Sequence, residues 1–181
     1  MFCMFLILSL LQVALTSEGI ISVDNGGIWG DWGDIEMCPT GTSARAFSLL
    51  VEPPVGGDDT ALNGIKLYCA EPFSEVIKDA ITSAKGPWGD WTKVYWCPAG
   101  ELVSFSLKVE PPTDGDDTAA NNIMFQCSDL KIFKGDGGTW GNFGTWSKIC
   151  CSGICGIKTR VEKSQGKGDD TALNDVQLYC C

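Results

Sequence analysis

Apolar and polar side chains alternate along several short stretches of this chain. The alternating apolar positions are Phe47, Leu49 and Val51; Ile65, Leu67 and Cys69; Phe105, Leu107 and Val109; Ile123, Phe125 and Cys127; and Val176, Leu178 and Cys180. A period of two is that of a β-strand rather than of a helix. The pattern predicts half-buried antiparallel strands with one face toward a core and the other toward water.

Shorter strand candidates surround these stretches. Three lead into a cysteine, at 35–38, 94–97 and 147–150, and three others lie at 20–23, 74–82 and 130–133. For residues 74–84 alone, the composition is also compatible with a short helix. Gly, Pro, Asn and Asp separate the candidates, as expected of turns. The sequence therefore predicts an all-β fold with about four strands in each of its repeats.

An internal repeat organises the chain. GDDTALNGIKLYC ends at Cys69, GDDTAANNIMFQC at Cys127 and GDDTALNDVQLYC at Cys180, and WGDW, WGDW and WGNF begin at Trp29, Trp88 and Trp140. Repeats of this period indicate a single structural unit used several times. We expect one domain at 18–181 with internal threefold pseudo-symmetry, built from repeats at about 18–73, 74–129 and 130–181.

The composition excludes several classes of chemistry. The chain has 181 residues and no histidine, which excludes Ser-His-Asp catalysis and histidine-ligated zinc or haem sites. Its formal net charge is −10, so its surface repels nucleic acid and favours basic protein partners. No cofactor and no metal site are predicted.

The first residues resemble a secretory leader. Residues 2–15 are uncharged and nearly all apolar, and the small residues Ala14, Thr16, Ser17 and Gly19 lie at the end of this stretch. This stretch is shorter than the about 20 residues of a membrane-spanning helix, although a signal anchor is the alternative. We expect residues 1–17 to be a signal peptide and the mature protein to be secreted and extracellular.

The cysteines then predict a disulfide framework. Without Cys3, nine of the ten cysteines remain, and equivalent cysteines in the repeats are 31, 30 and 30 residues apart. This spacing predicts Cys38–Cys69, Cys97–Cys127 and Cys150–Cys180, and leaves Cys155 to pair with Cys181, or with Cys180 after an exchange. Cys151 has no counterpart in the other repeats. We therefore predict that Cys151 is a free thiol or links two copies into a dimer.

The repeated motifs also carry a family resemblance. The three WG[DN][WF] segments, the three GDDTA[LA]N segments, VSFSLKVE at 103–110 and LNDVQLYCC at 173–181 resemble the vitelline membrane outer layer protein 1 family over residues 20–181. The resemblance implies a β-prism, in which three four-stranded Greek-key sheets surround a common apolar core. It also implies a secreted protein of the egg's vitelline membrane, and a transferase-like activity on N-acetylglucosamine oligosaccharides without assigned catalytic residues.

The repeated acidic residues are one group of candidate site residues: Asp58, Asp59, Asp116, Asp117, Asp169 and Asp170. Paired carboxylates can bind calcium or catalyse glycoside chemistry. Asp after Gly is also a turn residue whose side chain accepts backbone N–H bonds. Because a repeated turn explains three copies more simply than three active sites do, we predict a structural role.

The tryptophan motifs are the second group: Trp29, Asp31, Trp88, Asp90, Trp140 and Asn142. An exposed Trp next to a polar side chain is a plausible glycan-binding patch. We nevertheless expect these three Trp side chains to fill the core where sheets meet.

No repeated motif assembles a reaction centre. We therefore expect a disulfide-stabilised structural or interaction protein of an extracellular coat, in contact with glycans or basic coat proteins. The alternatives are a simple lectin and a carbohydrate-active enzyme. An enzyme would use carboxylates that break the symmetry, and the candidates are Glu36, Glu71, Glu75, Asp79, Glu101 and Asp129; we assign none of them as catalytic.

Overall fold

Three antiparallel sheets make up the parts of the chain that the computed structural model describes, which are residues 19–53, 61–111, 119–163 and 172–181. Within these ranges there is no helix, and hence none that is long and apolar enough to span a bilayer. Their strands are β1 (Ile20–Ile21), β2 (Asp31–Trp32), β3 (Glu36–Met37), β4 (Ser43–Val51), β5 (Leu62–Ala70), β6 (Ile77–Ile81), β7 (Asp90–Trp91), β8 (Tyr95–Trp96), β9 (Leu102–Val109), β10 (Ala120–Cys127), β11 (Ile132–Lys134), β12 (Asn142–Phe143), β13 (Ile154–Val161) and β14 (Leu173–Cys180).

The three sheets share one strand order. Sheet A has the order β1-β14-β13-β2, sheet B the order β6-β5-β4-β7 and sheet C the order β11-β10-β9-β12; β3 also pairs with β13, and β8 with β4. In each sheet a long central hairpin is flanked by two short strands, and the fourth strand returns beside the first, which is the Greek-key order. Sheet A combines strands from both ends of the chain, so the sheets are offset from the sequence repeats.

The alternating apolar residues of the long strands form the core, as predicted. Phe47, Phe105 and Phe125 are fully buried, and the ring centroids of Phe47 and Phe125 are 4.7 Å apart. The other face of the central strands is half-buried along β10, β13 and β14, as predicted, but is more deeply covered along β4. Ser106 and Thr159 on that face are buried, and their hydroxyls donate to the carbonyls of Gly144 and Ala84. The segments that connect the sheets cover part of this face, most completely along β4.

Of the shorter elements, the strand candidate at 74–82 contains the strand β6, and the alternative of a helix at 74–84 is excluded. Another candidate differs from expectation. Residues 147–150 form no strand, although the N–H groups of Ser147 and Cys150 donate to the carbonyls of Phe105 and Val103 in β9. This segment therefore lies along sheet C without continuous strand geometry.

The structure contains the four predicted disulfides, with Cys155 paired to Cys181. Three of them join different sheets. Cys38 donates its N–H to Cys155 in sheet A, whereas its disulfide partner Cys69 lies in β5 of sheet B. By the same geometry Cys97–Cys127 joins sheet B to sheet C, and Cys150–Cys180 joins sheet C to sheet A. The disulfides therefore link the three sheets in a closed ring at one end of the molecule, called the disulfide end below.

The prediction that Cys151 is a free thiol is wrong. Cys151 is disulfide-bonded, and the described part of the chain holds no free cysteine. That prediction was made for the chain after removal of residues 1–17, which holds nine cysteines. The disulfide-linked dimer through Cys151 stays a prediction.

Candidate functional site

The three WG[DN][WF] segments form the fourth strand of the three sheets. β2, β7 and β12 pair with the ends of β13, β4 and β9, respectively. The glycines after the three tryptophans have positive φ angles of 79°, 89° and 72°, and a Cβ atom there would lie 2.1–2.3 Å from the carbonyl oxygen of a neighbouring Val; they are Gly30, Gly89 and Gly141. Only glycine accepts this conformation and this close approach. The motif thus holds each tryptophan beside the end of a central strand.

The three tryptophans lie on the surface. Trp29, Trp88 and Trp140 are 51%, 49% and 57% exposed, so the prediction that they fill the core is wrong. Phe, Leu and Ile side chains of the long strands already fill the interior. The tryptophan rings therefore remain accessible at the end of the molecule opposite the disulfide end, called the tryptophan end below.

A buried asparagine contacts the backbone of each tryptophan segment. The glycine two residues before each tryptophan donates its N–H to the backbone carbonyl of the asparagine at 2.6–2.8 Å. The pairs are Gly27–Asn174, Gly86–Asn63 and Gly138–Asn121. A Cβ on any of these glycines would lie 2.2–2.3 Å from the asparagine side-chain oxygen. Sequence reasoning missed these asparagines, although the N that closes each GDDTA[LA]N motif was a visible signal.

The second aromatic residue of each motif is partly covered by cations. Lys66 Nζ lies 3.9 Å from the centroid of the Trp91 ring, and Lys108 Nζ lies 5.9 Å from that of Phe143. Trp32 has Lys158 and Arg160 at 5.7 and 6.0 Å. Such cation–π contacts fix the second ring against its sheet. They leave the first ring of each motif as the accessible one.

A cleft of about 490 Å³ lies at the tryptophan end, between sheets A and C. The loop between β1 and β2 forms one side of this cleft, with Ile28 70% exposed beside Trp29. The other side comes from β9, β12 and the residues next to them. The lining residues on that side include Val109, Glu110, Pro111, Asn142 and Phe143. A mainly apolar cleft with a few polar side chains is the usual form of a small-molecule site.

Polar groups in the cleft come mainly from asparagine. Asn25 Nδ2 donates to the Leu107 carbonyl at 3.0 Å, while its Oδ1 is buried and has no hydrogen-bond partner within the described residues. Asn142 stands where the other two motifs have Asp31 and Asp90. Amide groups both donate and accept hydrogen bonds, as the recognition of neutral hydroxyl groups requires.

The cleft unites some of the predicted site residues and not others. Trp29 and Asn142 both line it, whereas Asp31, Trp88, Asp90 and Trp140 are not among its lining residues. The acidic residues Asp58, Asp59, Asp116, Asp117, Asp169 and Asp170 lie outside the described residues. Only one of the three symmetry-related motifs therefore contributes its exposed tryptophan to this cleft.

The arrangement suits binding better than acid–base catalysis. Among the described residues that line the cleft, only Glu110 has a titratable side chain, whereas glycoside hydrolysis ordinarily uses two carboxyl groups. Of the asymmetric carboxylates, Glu36 Oε2 accepts the Thr82 N–H at 2.8 Å, and none of the six lines the cleft. Within the described ranges, no three Cys, Asp or Glu side chains come together as a metal site.

One carboxyl group near the cleft has a strongly shifted pKa. Asp175 is half-buried against Gly26 in the loop that carries Trp29. Burial raises the pKa of Asp175 to about 6, while the Val176 N–H and the Arg160 charge oppose that rise. The ionisation of Asp175 is thus linked to the packing of this loop.

A cluster of three ionisable side chains lies where the segment after β11 meets sheet B. Lys93 Nζ lies 3.3 Å from Asp136 Oδ2 and 5.0 Å from the centroid of the Tyr95 ring. Asp136 raises the pKa of Lys93, burial raises the pKa of Tyr95, and the Tyr95 hydroxyl with Lys93 lowers the pKa of Asp136. At neutral pH these shifts keep Lys93 and Asp136 charged and Tyr95 neutral. The Lys93–Asp136 ion pair between the two sheets is exposed to solvent and therefore contributes little to stability.

The chain matches known proteins over nearly all of its length after residue 18. The family model described as Vitelline membrane outer layer protein I (VOMI) matches residues 19–181. The vitelline membrane outer layer protein 1 homolog of Homo sapiens is 52% identical over 166 residues, which cover 90% of this chain and 82% of that protein. The homolog of Mus musculus is 49% identical over 166 residues, which cover 90% of this chain and 83% of that protein.

Solved structures with a similar fold are β-prism proteins of low sequence identity. Calystegia sepium agglutinin has a TM-score of 0.55 at 16% identity, covering 88% of this chain and 93% of that chain. Frutalin from Artocarpus incisa has a TM-score of 0.57 at 15% identity, covering 93% and 99%. The predicted β-prism architecture is confirmed, and by sequence the chain belongs to the vitelline membrane outer layer protein I family.

Proposed function

We propose that this protein is a secreted structural and interaction protein of an extracellular coat, and that it binds glycans in the cleft beside Trp29. The observation that carries the glycan part is the cleft itself. It combines a half-exposed tryptophan, a second aromatic residue and asparagine amides at one boundary between two sheets. Amphipathic aromatic rings suit sugars because sugars present both apolar faces and hydroxyl groups.

Family membership and the disulfides support the extracellular part. Four disulfides among the described residues are typical of proteins from oxidising compartments. The apolar stretch at 2–15 accounts for export if residues 1–17 are removed as a signal peptide. The family is described by its place in the vitelline membrane outer layer, which supports a coat as the location.

The fold neighbours support a glycan as the ligand. Calsepa lectin, with a TM-score of 0.54 at 16% identity, was solved in complex with a bisected glycan. For the present chain we propose oligosaccharides of N-acetylglucosamine as the first ligand class to test. Basic coat proteins are the second class of partner, because the net charge of the chain is −10.

A fluorescence titration of the purified protein with N-acetylglucosamine oligosaccharides tests the glycan proposal. We expect a saturable change in tryptophan emission, because a sugar that stacks on Trp29 changes the solvation of its indole ring. Chromatography of the sugars after long incubation should show no new products, since the described cleft has a single titratable group, Glu110. An unchanged emission spectrum up to millimolar sugar would contradict the proposal. If the parent protein forms products and the Glu110→Gln variant does not, the protein is an enzyme instead.

A further inference from the structure

Two turns at the disulfide end hold large apolar residues in the left-handed backbone conformation. Phe73, between β5 and β6, has a φ of 60° and is 90% exposed. Leu130, between β10 and β11, has a φ of 70° and is 69% exposed. These are equivalent turns of sheets B and C, so the same combination occurs twice.

Neither the backbone nor the core explains these two residues. The left-handed conformation is unfavourable for residues with a Cβ, and glycine or asparagine adopts it most readily. A side chain that is 69–90% exposed gains little by burial in return. Residues held in a disfavoured backbone conformation without burial point to a function for their side chains, and an exposed apolar side chain serves such a function by contacting a partner.

A buried arginine holds the two turns in a fixed relation. Arg45 is 3% exposed, its Nε donates to the Gly100 carbonyl at 2.7 Å, and its Nη1 donates to the Ser74 carbonyl beside Phe73. Ser128, in the turn that carries Leu130, donates its N–H to Glu101 beside Gly100. These hydrogen bonds hold the turns that carry Phe73 and Leu130 in place beside each other.

More apolar and acidic side chains surround these turns. Val76, Ile77 and Ile132 are 64%, 45% and 53% exposed. Five carboxylates lie on the same turns, on the neighbouring strand β6 and on the adjoining segment, namely Glu71, Glu75, Asp79, Glu101 and Asp129. Three cations partly balance them: Lys78 pairs with Glu71 at 3.2 Å, Lys131 pairs with Asp129 at 3.9 Å, and the buried Arg45 lies between the two turns.

We propose that this surface, called the Phe73–Leu130 surface, binds a basic polypeptide segment that carries apolar side chains. Phe73 and Leu130 supply the apolar contacts, and the excess of carboxylates selects a partner of positive charge. This inference extends the proposed function, and it rests on that proposal for the location of the protein in an extracellular coat. The surface lies at the end opposite the Trp29 cleft, so glycan and polypeptide can bind at the same time and link coat components.

Binding of synthetic peptides tests this inference. The probe is a fluorescent peptide of alternating lysine and leucine, and the comparison peptides alternate lysine with serine and glutamate with leucine. Anisotropy should show saturable binding of the lysine–leucine peptide, with affinity about tenfold weaker for either comparison peptide. Equal affinity for the lysine–serine peptide would reduce the effect to net charge and overturn the proposal.

Two variants locate the binding. Phe73→Asn with Leu130→Asn removes both apolar side chains and places a residue that accepts the left-handed conformation, so the variant should fold at least as stably as the parent. We expect the lysine–leucine peptide to bind about tenfold more weakly to it. Glu75→Gln with Asp79→Asn changes only exposed side chains and should also weaken binding, which tests the surface even if the first variant misfolds.

A control at the other end separates this inference from the proposed function. Trp29→Ala should leave peptide affinity unchanged, and Phe73→Asn with Leu130→Asn should leave the oligosaccharide titration unchanged. A flat sugar titration with normal peptide binding would refute the glycan cleft alone. Absence of lysine–leucine peptide binding to the parent protein, or unchanged affinity in both surface variants, would refute the Phe73–Leu130 surface.

Discussion

Gly27 lies so close to Asn174 that a Cβ atom on the glycine would be 2.3 Å from the asparagine side-chain oxygen. The Gly27 N–H also donates to the Asn174 carbonyl at 2.7 Å. This contact fixes the loop that carries Ile28 and Trp29 to the start of β14. The position of the exposed tryptophan is therefore set by a buried residue from the opposite end of the sequence.

Gly27→Ala should destabilise the protein and weaken sugar binding together. The added methyl group must displace Asn174 or the loop, at a cost of about 1–3 kcal/mol for an overpacked site. Urea unfolding measures the loss, and calorimetric titration with the oligosaccharide measures the affinity. Gly19→Ala is the matched control, since a Cβ there meets nothing within 4 Å, and it should change the free energy of unfolding by less than about 0.5 kcal/mol. Equal stability of the two variants would contradict the supporting role of Asn174.

The disulfide between Cys38 and Cys69 should contribute strongly to stability because it joins sheet A to sheet B. Removing it as Cys38→Ala with Cys69→Ala opens a loop with a sequence separation of 31 residues. The chain-entropy account gives a loss of about 3–4 kcal/mol in the free energy of unfolding. Denaturant unfolding of the parent and the double variant, both under non-reducing conditions, measures it. A loss below about 1 kcal/mol would show that the sheets hold together without this bridge.

Asp175 predicts a pH dependence of stability. Its pKa is about 6 in the folded protein, against 3.8 for an unperturbed aspartate side chain, so the folded state binds the proton more tightly than the unfolded state does. Ionisation therefore destabilises the fold, and the contribution of Asp175 to stability decreases as the pH rises from about 4 to 6 and stays low above that.

Asp175→Asn should remove this dependence. The equivalent Asn122 in sheet C accepts the following backbone N–H at 2.8 Å, as Asp175 does, so an asparagine fits the position. The variant should unfold at a higher temperature than the parent at pH 7.5, with the difference shrinking toward pH 4. A difference that is independent of pH, or that grows at low pH, would contradict the assignment.

Much of the fold followed from local patterns. The long strands have eight or nine residues, and each contains a stretch of about five that alternates with period two, which is enough to identify them. The disulfide pairs followed from equal spacing in equivalent repeats. Two-residue strands such as Asp31–Trp32 carry no periodicity, so the fourth strand of each sheet could not be recognised.

The candidate site was less predictable because it depends on long-range pairing. Trp29 meets Asn142 and Phe143 only because sheet A, which includes both ends of the chain, adjoins sheet C. Nothing local in the sequence shows that the core is already filled by residues such as Phe47 and Phe125, which leaves Trp29 outside.

The central claim is that the cleft beside Trp29 binds glycans, and calorimetric titration of a matched pair of variants tests it most directly. Trp29→Ala removes the tryptophan that lines the cleft, and Trp88→Ala removes its symmetry counterpart, which is equally exposed but does not line it. Calorimetry does not depend on the fluorophore that the substitution removes. We predict that Trp29→Ala weakens the affinity for N-acetylglucosamine oligosaccharides about tenfold, while Trp88→Ala binds as the parent does. Equal affinities in the two variants, whether both retained or both lost, would contradict the account.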